Sequence, residues 1–320
     1  MHTSTTIATS IETAADKAKY DAACKEILAE KIILAWIMKS TMKEFYELSV
    51  QDISENYIVG TPQVAELPLL PDETNASKIN GTGVEDTTIT EGTITYDVRF
   101  YAVLPTTGET AGLIVNVEAQ NDFYPGYPLI KRALYYCSRM ISSQYGTEFT
   151  NSHYEKIKKV YSVWICLKPP KYRENTITGY SITESNIIGG VHEKMSDYDL
   201  LTAIMICIGK QNGTEGNGVL RLLDVLLSNE TDTDTKKKIL QDDFDIPMTQ
   251  QLERRISDMC NLSEGVYQKG IEKGIEKGAE KQLISSIKSL MTTLHFTLDQ
   301  AMDALQIDPK DRGKISSMIL

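Results

Sequence analysis

Two strand-like segments joined by a short turn constrain the fold of this chain more than any other feature. In residues 94–104 apolar and polar side chains alternate, which is the period of a β-strand with one buried face. Residues 112–120 begin with a continuous apolar run, as expected for a strand covered on both sides. The turn-like residues 105–109 between them predict an antiparallel hairpin. The alternating face consists of Ile94, Tyr96, Val98, Phe100, Ala102 and Leu104.

The length of the turn predicts the register of this hairpin. If Thr107 and Gly108 are its two loop residues, Asp97 lies directly opposite Glu118. Directly opposed side chains are about 5 Å apart, and two carboxylates that close repel each other unless a proton or a cation lies between them. The hairpin therefore predicts an acidic pair that a cation stabilises, whereas a slip of one residue separates the two acids.

Helical periodicity around the hairpin predicts an α/β protein. Residues 21–48 read as one long amphipathic helix, and residues 128–145 read as a second. A short strand is expected around residues 57–59, and a longer one over residues 160–167, just before two prolines. The order strand, strand, helix, strand indicates a sheet with a crossover helix. Further helices are expected over residues 198–208, 219–227 and 250–259.

Four regions are expected along the chain. They are a flexible N-terminal tail over residues 1–20, the α/β core over 21–195, a helical extension over 196–262 and a C-terminal helical region over 263–320. The last region contains the repeat Gly-x-Glu-Lys, which begins at Gly270, Gly274 and Gly278. Each glycine inside a helix costs about 1 kcal/mol relative to alanine, so packing against a partner is the expected source of stability. Further on, Thr297 and Gln300 predict a capping box.

Composition excludes several classes of protein. The 44 acidic and 33 basic residues give a formal net charge of −11, which, taken alone, argues against a protein that binds nucleic acid by long-range attraction to phosphate. No apolar run approaches the roughly 20 residues that a bilayer-spanning helix needs, and the start of the chain lacks a signal-peptide pattern. The five cysteines are widely spaced and suit reduced thiols. A cytoplasmic protein without membrane contact is therefore expected.

An acidic residue on the apolar side of the first predicted helix adds to the carboxylates of the hairpin. Glu30 has Ile27, Ile33 and Leu34 at helical spacing, so the pattern points its carboxylate toward the interior. Together with Asp97, Glu118 and Gln120 it forms a set of oxygen ligands that contains no histidine or cysteine. Such a set suits Mg²⁺ or Mn²⁺, which can generate a hydroxide nucleophile and stabilise charge on a phosphodiester.

At these residues the chain resembles the PD-(D/E)XK nuclease superfamily, most closely the Rpn-like group of bacterial recombination-promoting, transposase-associated nucleases. The resemblance covers roughly residues 20–170, and the Gly-x-Glu-Lys repeat often accompanies this group. It implies a restriction-endonuclease-like core, which is a mixed sheet flanked by helices. It also implies a Mg²⁺- or Mn²⁺-dependent endonuclease that binds and cuts DNA and takes part in DNA recombination.

The resemblance also implies the metal ligands and the catalytic residues. The strand aspartate of the family matches Asp97, and its E-x-K or E-x-Q motif matches Glu118, Ala119 and Gln120. The metal ligands are then Asp97, Glu118 and the backbone carbonyl of Ala119. The usual lysine of the motif is Gln120 here, and an amide can orient a water molecule but supplies no positive charge.

Further site residues come from the two helices. The family's helical glutamate matches Glu30, with Glu26 as a possible substitute one turn earlier. A basic residue and a tyrosine that contact substrate match Arg132 and Tyr136, and Lys131 or Arg132 could supply the missing positive charge. DNA binding is expected to be weak without metal and to depend on a local basic cluster. That cluster consists of Lys131, Arg132, Arg139, Lys156, Lys158 and Lys159.

Simpler alternatives stay open for the same residues. Asp97 and Glu118 could be exposed carboxylates of a half-solvated sheet, and the basic residues of the second helix could be a solvated face. The chain could also be a catalytically weak or inactive nuclease-fold protein. It would then act as an interaction or self-assembly module, forming a homo-oligomer through its C-terminal helices.

Overall fold

A mixed β-sheet with helices on both faces organises most of the chain. The structure, a computed structural model, describes residues 18–64, 85–88, 92–105, 108, 110–118, 123–210, 218–228 and 231–319. These residues separate into two compact units, the first ending at Leu262 and the second beginning at Ser263. The α/β class expected from the sequence is confirmed. None of the described helices is long and apolar enough to cross a membrane.

Eight strands and most of the helices belong to the first unit, as far as it is described. The strands are β1 (Ile58–Val64), β2 (Glu85–Thr88), β3 (Gly92–Thr95), β4 (Val98–Val103), β5 (Thr110–Glu118), β6 (Val160–Cys166), β7 (Thr176–Ser181) and β8 (Leu201–Cys207). The helices are α1 (residues 18–28), α2 (Lys31–Thr41), α3 (Val50–Asp52), α4 (Leu129–Ser142), α5 (Met195–Tyr198), α6 (Gly218–Leu227), α7 (Thr233–Phe244) and the start of α8 (Gln250–Thr293).

The main sheet has six strands in the order β1, β4, β5, β6, β8, β7, and β2 pairs with β3 separately. β1, β4 and β5 are antiparallel neighbours, β5, β6 and β8 are parallel, and β7 is antiparallel to β8. The three parallel strands therefore end at one edge of the sheet. Their last residues form one row of paired positions there, which are Glu118, Cys166 and Cys207. β4 begins at this same edge, because it runs antiparallel to β5.

The two faces of the sheet are covered by different helices. β6 is buried along its whole length. Val163 and Ile165 enter a core formed with α1, α2, α6, α7 and the start of α8. On the opposite face Trp164 and Cys166 pack with α4. Burial on both faces is what the uninterrupted apolar sequence of a parallel strand predicts, so the strand expected here is confirmed, as is the crossover helix α4.

The predicted hairpin is confirmed, but its register is wrong. β4 and β5 pair antiparallel, with Val98 opposite Val115. The connection is longer than the expected two-residue turn: the N–H of Gly108 donates to the carbonyl of Leu104 at 2.8 Å, and Gly108 has a φ of 71°, which glycine adopts at little cost. The longer loop shifts every pair by two positions, so the side chains keep their faces but change their partners.

The predicted continuous strand over residues 94–104 is interrupted at Tyr96 and Asp97. Val98 and Phe100 enter the core on the α1 and α2 face, as alternation predicts. Tyr96 instead packs on the α4 face, where its ring meets that of Tyr136 edge to face at a centroid distance of 5.3 Å. The prediction that the alternating residues all share one face is therefore wrong at Tyr96. The bend between β3 and β4 reverses the side of the sheet to which the side chains point.

The long helix predicted over residues 21–48 is also wrong, because it breaks at Glu30. α1 ends at residue 28, and Glu30 takes an extended conformation (φ −63°, ψ 128°) as the residue that precedes α2. Arg255 of α8 donates to the carbonyl oxygen of Glu26 at 3.0 Å and to the carboxylate of Glu30 at 2.5 Å. A cation at the end of a helix satisfies carbonyls that have no partner within it. This stabilising contact comes from a distant part of the chain, so local periodicity could not reveal it.

The helix predicted over residues 198–208 is a strand instead. Leu201–Cys207 forms β8, which pairs with β6 and β7 in the sheet. A short, continuous apolar run fits a buried strand as well as a buried helix, and periodicity cannot distinguish them. The segment over residues 196–262, which was expected to be wholly helical, therefore contributes one strand to the sheet before the helices α6 and α7.

The second unit contains the rest of α8, then α9 (Leu298–Ala304) and α10 (Pro309–Ile319). The predicted capping box is confirmed: the N–H of Gln300 donates to the hydroxyl of Thr297 at 3.2 Å, and the side chain of Gln300 accepts from the N–H of Thr297 at 2.9 Å. The Gly-x-Glu-Lys repeat lies inside α8. Self-association through these helices stays a prediction. A small core of this unit consists of Ile287, Ala301, Met302, Ile307 and Ile315.

Candidate functional site

Asp97 lies at the bend before β4 and binds a lysine of α1. Its Oδ1 is 2.8 Å from the ammonium of Lys25, which is also 2.6 Å from Oδ2 of Asp21. Lys25 is only 6% exposed, and the side chain of Asp97 is 20% exposed. Burial by itself lowers the pKa of Lys25, but the charges of Asp97 and Asp21 outweigh it and raise that pKa above its usual value. Lys25 is therefore a fixed positive charge beside Asp97.

The sequence interpretation missed Lys25. Asp21 and Lys25 are four residues apart, which is a common ion-pair spacing on an exposed helix face. The informative signal is that Lys25 follows Cys24 and precedes Ile27 and Leu28, all of which are buried. A lysine beside such residues requires a partner on another element, and here that partner is Asp97.

Glu118 is the last residue of β5 and pairs with Cys166 of β6. The β4–β5 register pairs Val98 with Val115, so its continuation would place Asn116, and not Glu118, opposite Asp97. The predicted direct opposition of Asp97 and Glu118 is therefore wrong.

Part of the predicted metal site lies outside the described residues. Ala119 and Gln120 are not among them, and of Glu118 only the backbone is described. Among the side chains that the structure does describe, no group of three or more histidine, cysteine, aspartate or glutamate residues is arranged to hold a metal ion. Asp97 and Asp21 supply the hard oxygen donors that suit Mg²⁺, and the backbone end of β5 brings Glu118 to the same edge of the sheet.

Glu30 and Glu26, the helical glutamates assigned by resemblance, meet Arg255. Besides the contact to Glu30, the guanidinium of Arg255 is 3.7 Å from the carboxylate of Glu26. The structure thus pairs Glu30 with a cation of α8 and Asp97 with a cation of α1. In this arrangement the carboxylate of Glu30 holds the break between α1 and α2.

Arg132 and Tyr136 of α4 form one unit on the other side of the sheet. The guanidinium of Arg132 donates to the hydroxyl of Tyr136 at 2.8 and 2.9 Å, and to that of Tyr127 at 3.3 Å. It also lies over the ring of Trp164, 5.3 Å from its centroid. Burial raises the pKa of Tyr136, Arg132 opposes this rise, and the charge of Asp97 adds to it. Tyr136 is thus a protonated phenol within the electrostatic reach of Asp97.

The basic cluster predicted between the second helix and the third strand does not form as expected. Lys158 binds Glu148 at 2.5 Å, and Lys159 binds Glu44 at 3.0 Å and Asp199 at 2.7 Å. Arg139 is almost fully buried, whereas Lys131 is exposed. Acidic residues from other elements neutralise part of the cluster, and sequence proximity alone could not show this.

Comparisons of the chain with known family models, with curated proteins and with solved structures gave no significant match.

Proposed function

We propose that this protein is a metal-dependent endonuclease that hydrolyses phosphodiester bonds of DNA, built on a restriction-endonuclease-like core. One observation carries the proposal. Asp97 directly precedes β4 and Glu118 ends the neighbouring β5, so both acids belong to the edge where the parallel strands β5, β6 and β8 end. In open α/β sheets this edge is the usual place for a ligand. The crossover from β5 through α4 to the parallel strand β6 agrees with such a core.

In this proposal Asp97, Glu118 and the carbonyl of Ala119 hold Mg²⁺ or Mn²⁺. When bound, the ion would supply a hydroxide nucleophile and neutralise charge on the phosphate. Gln120 orients the attacking water through its amide group. The fit rests on the donor set, because two carboxylates and a carbonyl are the hard oxygen ligands that these ions prefer.

Two cations of this chain take the role that a lysine would have at position 120. The ammonium of Lys25 already contacts Asp97 and Asp21, and it would keep its contact with Asp21 if Asp97 bound a metal ion. Arg132 is oriented by Tyr136 and Tyr127, so its guanidinium would add a positive charge at a fixed position. Lys131, the other residue considered for this role, is exposed and contributes at most a screened charge.

The proposal is tested with supercoiled plasmid in the presence of Mg²⁺ or Mn²⁺. The wild-type protein is expected to nick the plasmid, and Asp97→Asn is expected to lower the rate by at least about 100-fold, since it removes one charged ligand. The matched control is Asp242→Asn, which changes an exposed aspartate of α7 and should leave the rate unchanged. Equal nicking by the wild type and by Asp97→Asn would contradict the proposal.

A further inference from the structure

Three loops meet beyond the edge where the parallel strands end, and their side chains form what we call the three-loop patch. The loop after β5 contributes Tyr124, and the loop after β8 contributes Lys210. The loop after β6 contributes Lys168 and a short helical turn, Lys171–Arg173. The described residues of these loops include four cationic side chains and one carboxylate, that of Glu174. This positive region contrasts with the net charge of −11 of the whole chain.

Contacts between the loops hold the three-loop patch in shape. The hydroxyls of Tyr124 and Tyr172 are 2.5 Å apart. The guanidinium of Arg173 lies over the rings of Phe123 and Tyr172, at 5.4 and 5.5 Å from their centroids. The side chain of Asn175 donates to the carbonyl of Lys210 at 3.5 Å. The loops are therefore connected to one another, so a ligand would meet groups that are already positioned.

The rings of this patch face solvent although they are large and partly apolar. Tyr172 is 72% exposed and Tyr124 is 47% exposed. Lys168, Lys171 and Lys210 are exposed beside them, and Arg173 is half-buried. Exposed aromatic rings interleaved with cations match single-stranded nucleic acid, whose free bases stack on the rings while the cations contact its phosphates. The bases of a duplex are stacked on one another and cannot use the rings in this way.

The position of the three-loop patch connects it to the candidate site. Its loops follow the row formed by Glu118, Cys166 and Cys207. Tyr127, three residues after Tyr124, accepts a hydrogen bond from Arg132. A strand lying on the patch would therefore continue toward the groups that the proposed function uses.

We propose that the three-loop patch binds single-stranded DNA, with bases stacked on Tyr172 and Tyr124 and phosphates bound by Lys171 and Arg173. The inference rests on the proposed function, because it names the form of DNA that is delivered to Asp97 and Glu118. It does not require that the site be loaded with metal, so binding can be measured apart from cleavage.

The experiment measures fluorescence anisotropy of a labelled oligothymidylate of about 20 nucleotides, a length that spans a typical single-strand site. A duplex of equal length is measured alongside, both with the full chain in EDTA. We expect tighter binding of the single strand. Tyr172→Ala should raise its Kd about 5- to 100-fold, as loss of one stacked base does. Lys171→Ala should lower the slope of log K against log salt by about 0.7.

Matched controls lie away from the three-loop patch. Tyr145→Ala removes a tyrosine of similar exposure whose ring packs on that of Phe149. Lys238→Ala removes an exposed lysine of α7. Both should leave the Kd within about twofold, which is the level at which surface substitutions are neutral.

Three outcomes would overturn the inference: equal Kd values for Tyr172→Ala and Tyr145→Ala, binding of the duplex as tight as that of the single strand, or no binding of either oligonucleotide. Failure of the proposed function is a different result. In that case Asp97→Asn would nick plasmid like the wild type, while binding of the single strand would still depend on Tyr172.

Discussion

Two lysines with largely buried side chains, Lys25 and Lys159, each bridge two carboxylates, and their surroundings differ. Lys159 lies between Glu44 and Asp199, and Lys43 adds a second positive charge at 3.0 Å from Asp199. Tyr161 also donates to Glu44 at 2.7 Å. The two acids and two lysines of this group, which we call the Lys159 network, therefore balance in charge.

At the other position, Lys25 contacts Asp21 and Asp97. These three groups, which we call the Lys25 triad, include two acids and one lysine. Glu118 ends the strand next to Asp97. The two groups also lie at opposite edges of the sheet: Lys159 directly precedes β6, whereas Asp97 lies where β5 ends. The comparison indicates that a balanced group supports the fold, while an unbalanced one can attract a cation.

The largest effect is expected at the Lys159 network. Lys159→Met removes the charge between Glu44 and Asp199 and leaves two carboxylates about nine-tenths buried. We expect a loss of about 3–5 kcal/mol in the free energy of unfolding, which is usual when one partner of a buried ion pair is removed. Urea denaturation of the variant and of the wild type measures it. A loss below about 1 kcal/mol would show that the network is not structural.

A smaller effect is expected at the Lys25 triad, where removal of the lysine should strengthen metal binding. Lys25→Met removes the cation that competes for Asp97, so Mg²⁺ should bind about tenfold more tightly, which corresponds to about 1.4 kcal/mol. Isothermal titration calorimetry measures the change, with Lys159→Met as a control that should leave Mg²⁺ affinity unaltered. Unchanged affinity in Lys25→Met would disprove competition between the lysine and the metal.

The smallest effect concerns pH. Burial tends to raise the pKa of Glu44, but hydrogen bonds from Tyr161 and Lys159 outweigh it and lower that pKa below its usual value. A carboxylate with a lowered pKa stabilises the fold above its unfolded pKa, and this contribution is lost as the pH falls through the folded pKa. We expect the wild type to lose more stability than Glu44→Gln between pH 5 and acidic values below about 4. Parallel pH dependence of the two proteins in urea denaturation would contradict this.

The features that the sequence predicted correctly are those with local causes. The β4–β5 hairpin, the crossover helix α4 and the capping box at Thr297 each depend on residues close together in sequence. The prediction was wrong where a distant partner or an exact loop length decides the structure. The register of the hairpin depends on the loop that ends with Gly108, and the strand β8 is recognised only by its pairing with β6 and β7.

The same distinction between local and distant causes applies to the residues of the candidate site. Asp97 and Glu118 were chosen from strand patterns, and the structure places both at one edge of the sheet by their backbone. Lys25 was not predicted, because its contact with Asp97 joins residues far apart in sequence. Glu30 was expected to point inward from a continuous helix, but Arg255 holds it at a break. Charge partners across elements are what an isolated sequence shows least.

The contact between Glu30 and Arg255 also determines when the first two helices can reach their final arrangement. The two residues are 225 positions apart, so closing this contact encloses most of the first unit in one loop. During synthesis from the N-terminus, α1 and α2 leave the ribosome long before Arg255 is made. Arg255 can hold the break between them only after the sheet strands have been translated. We therefore expect this contact to form late in folding, as contacts between distant residues do.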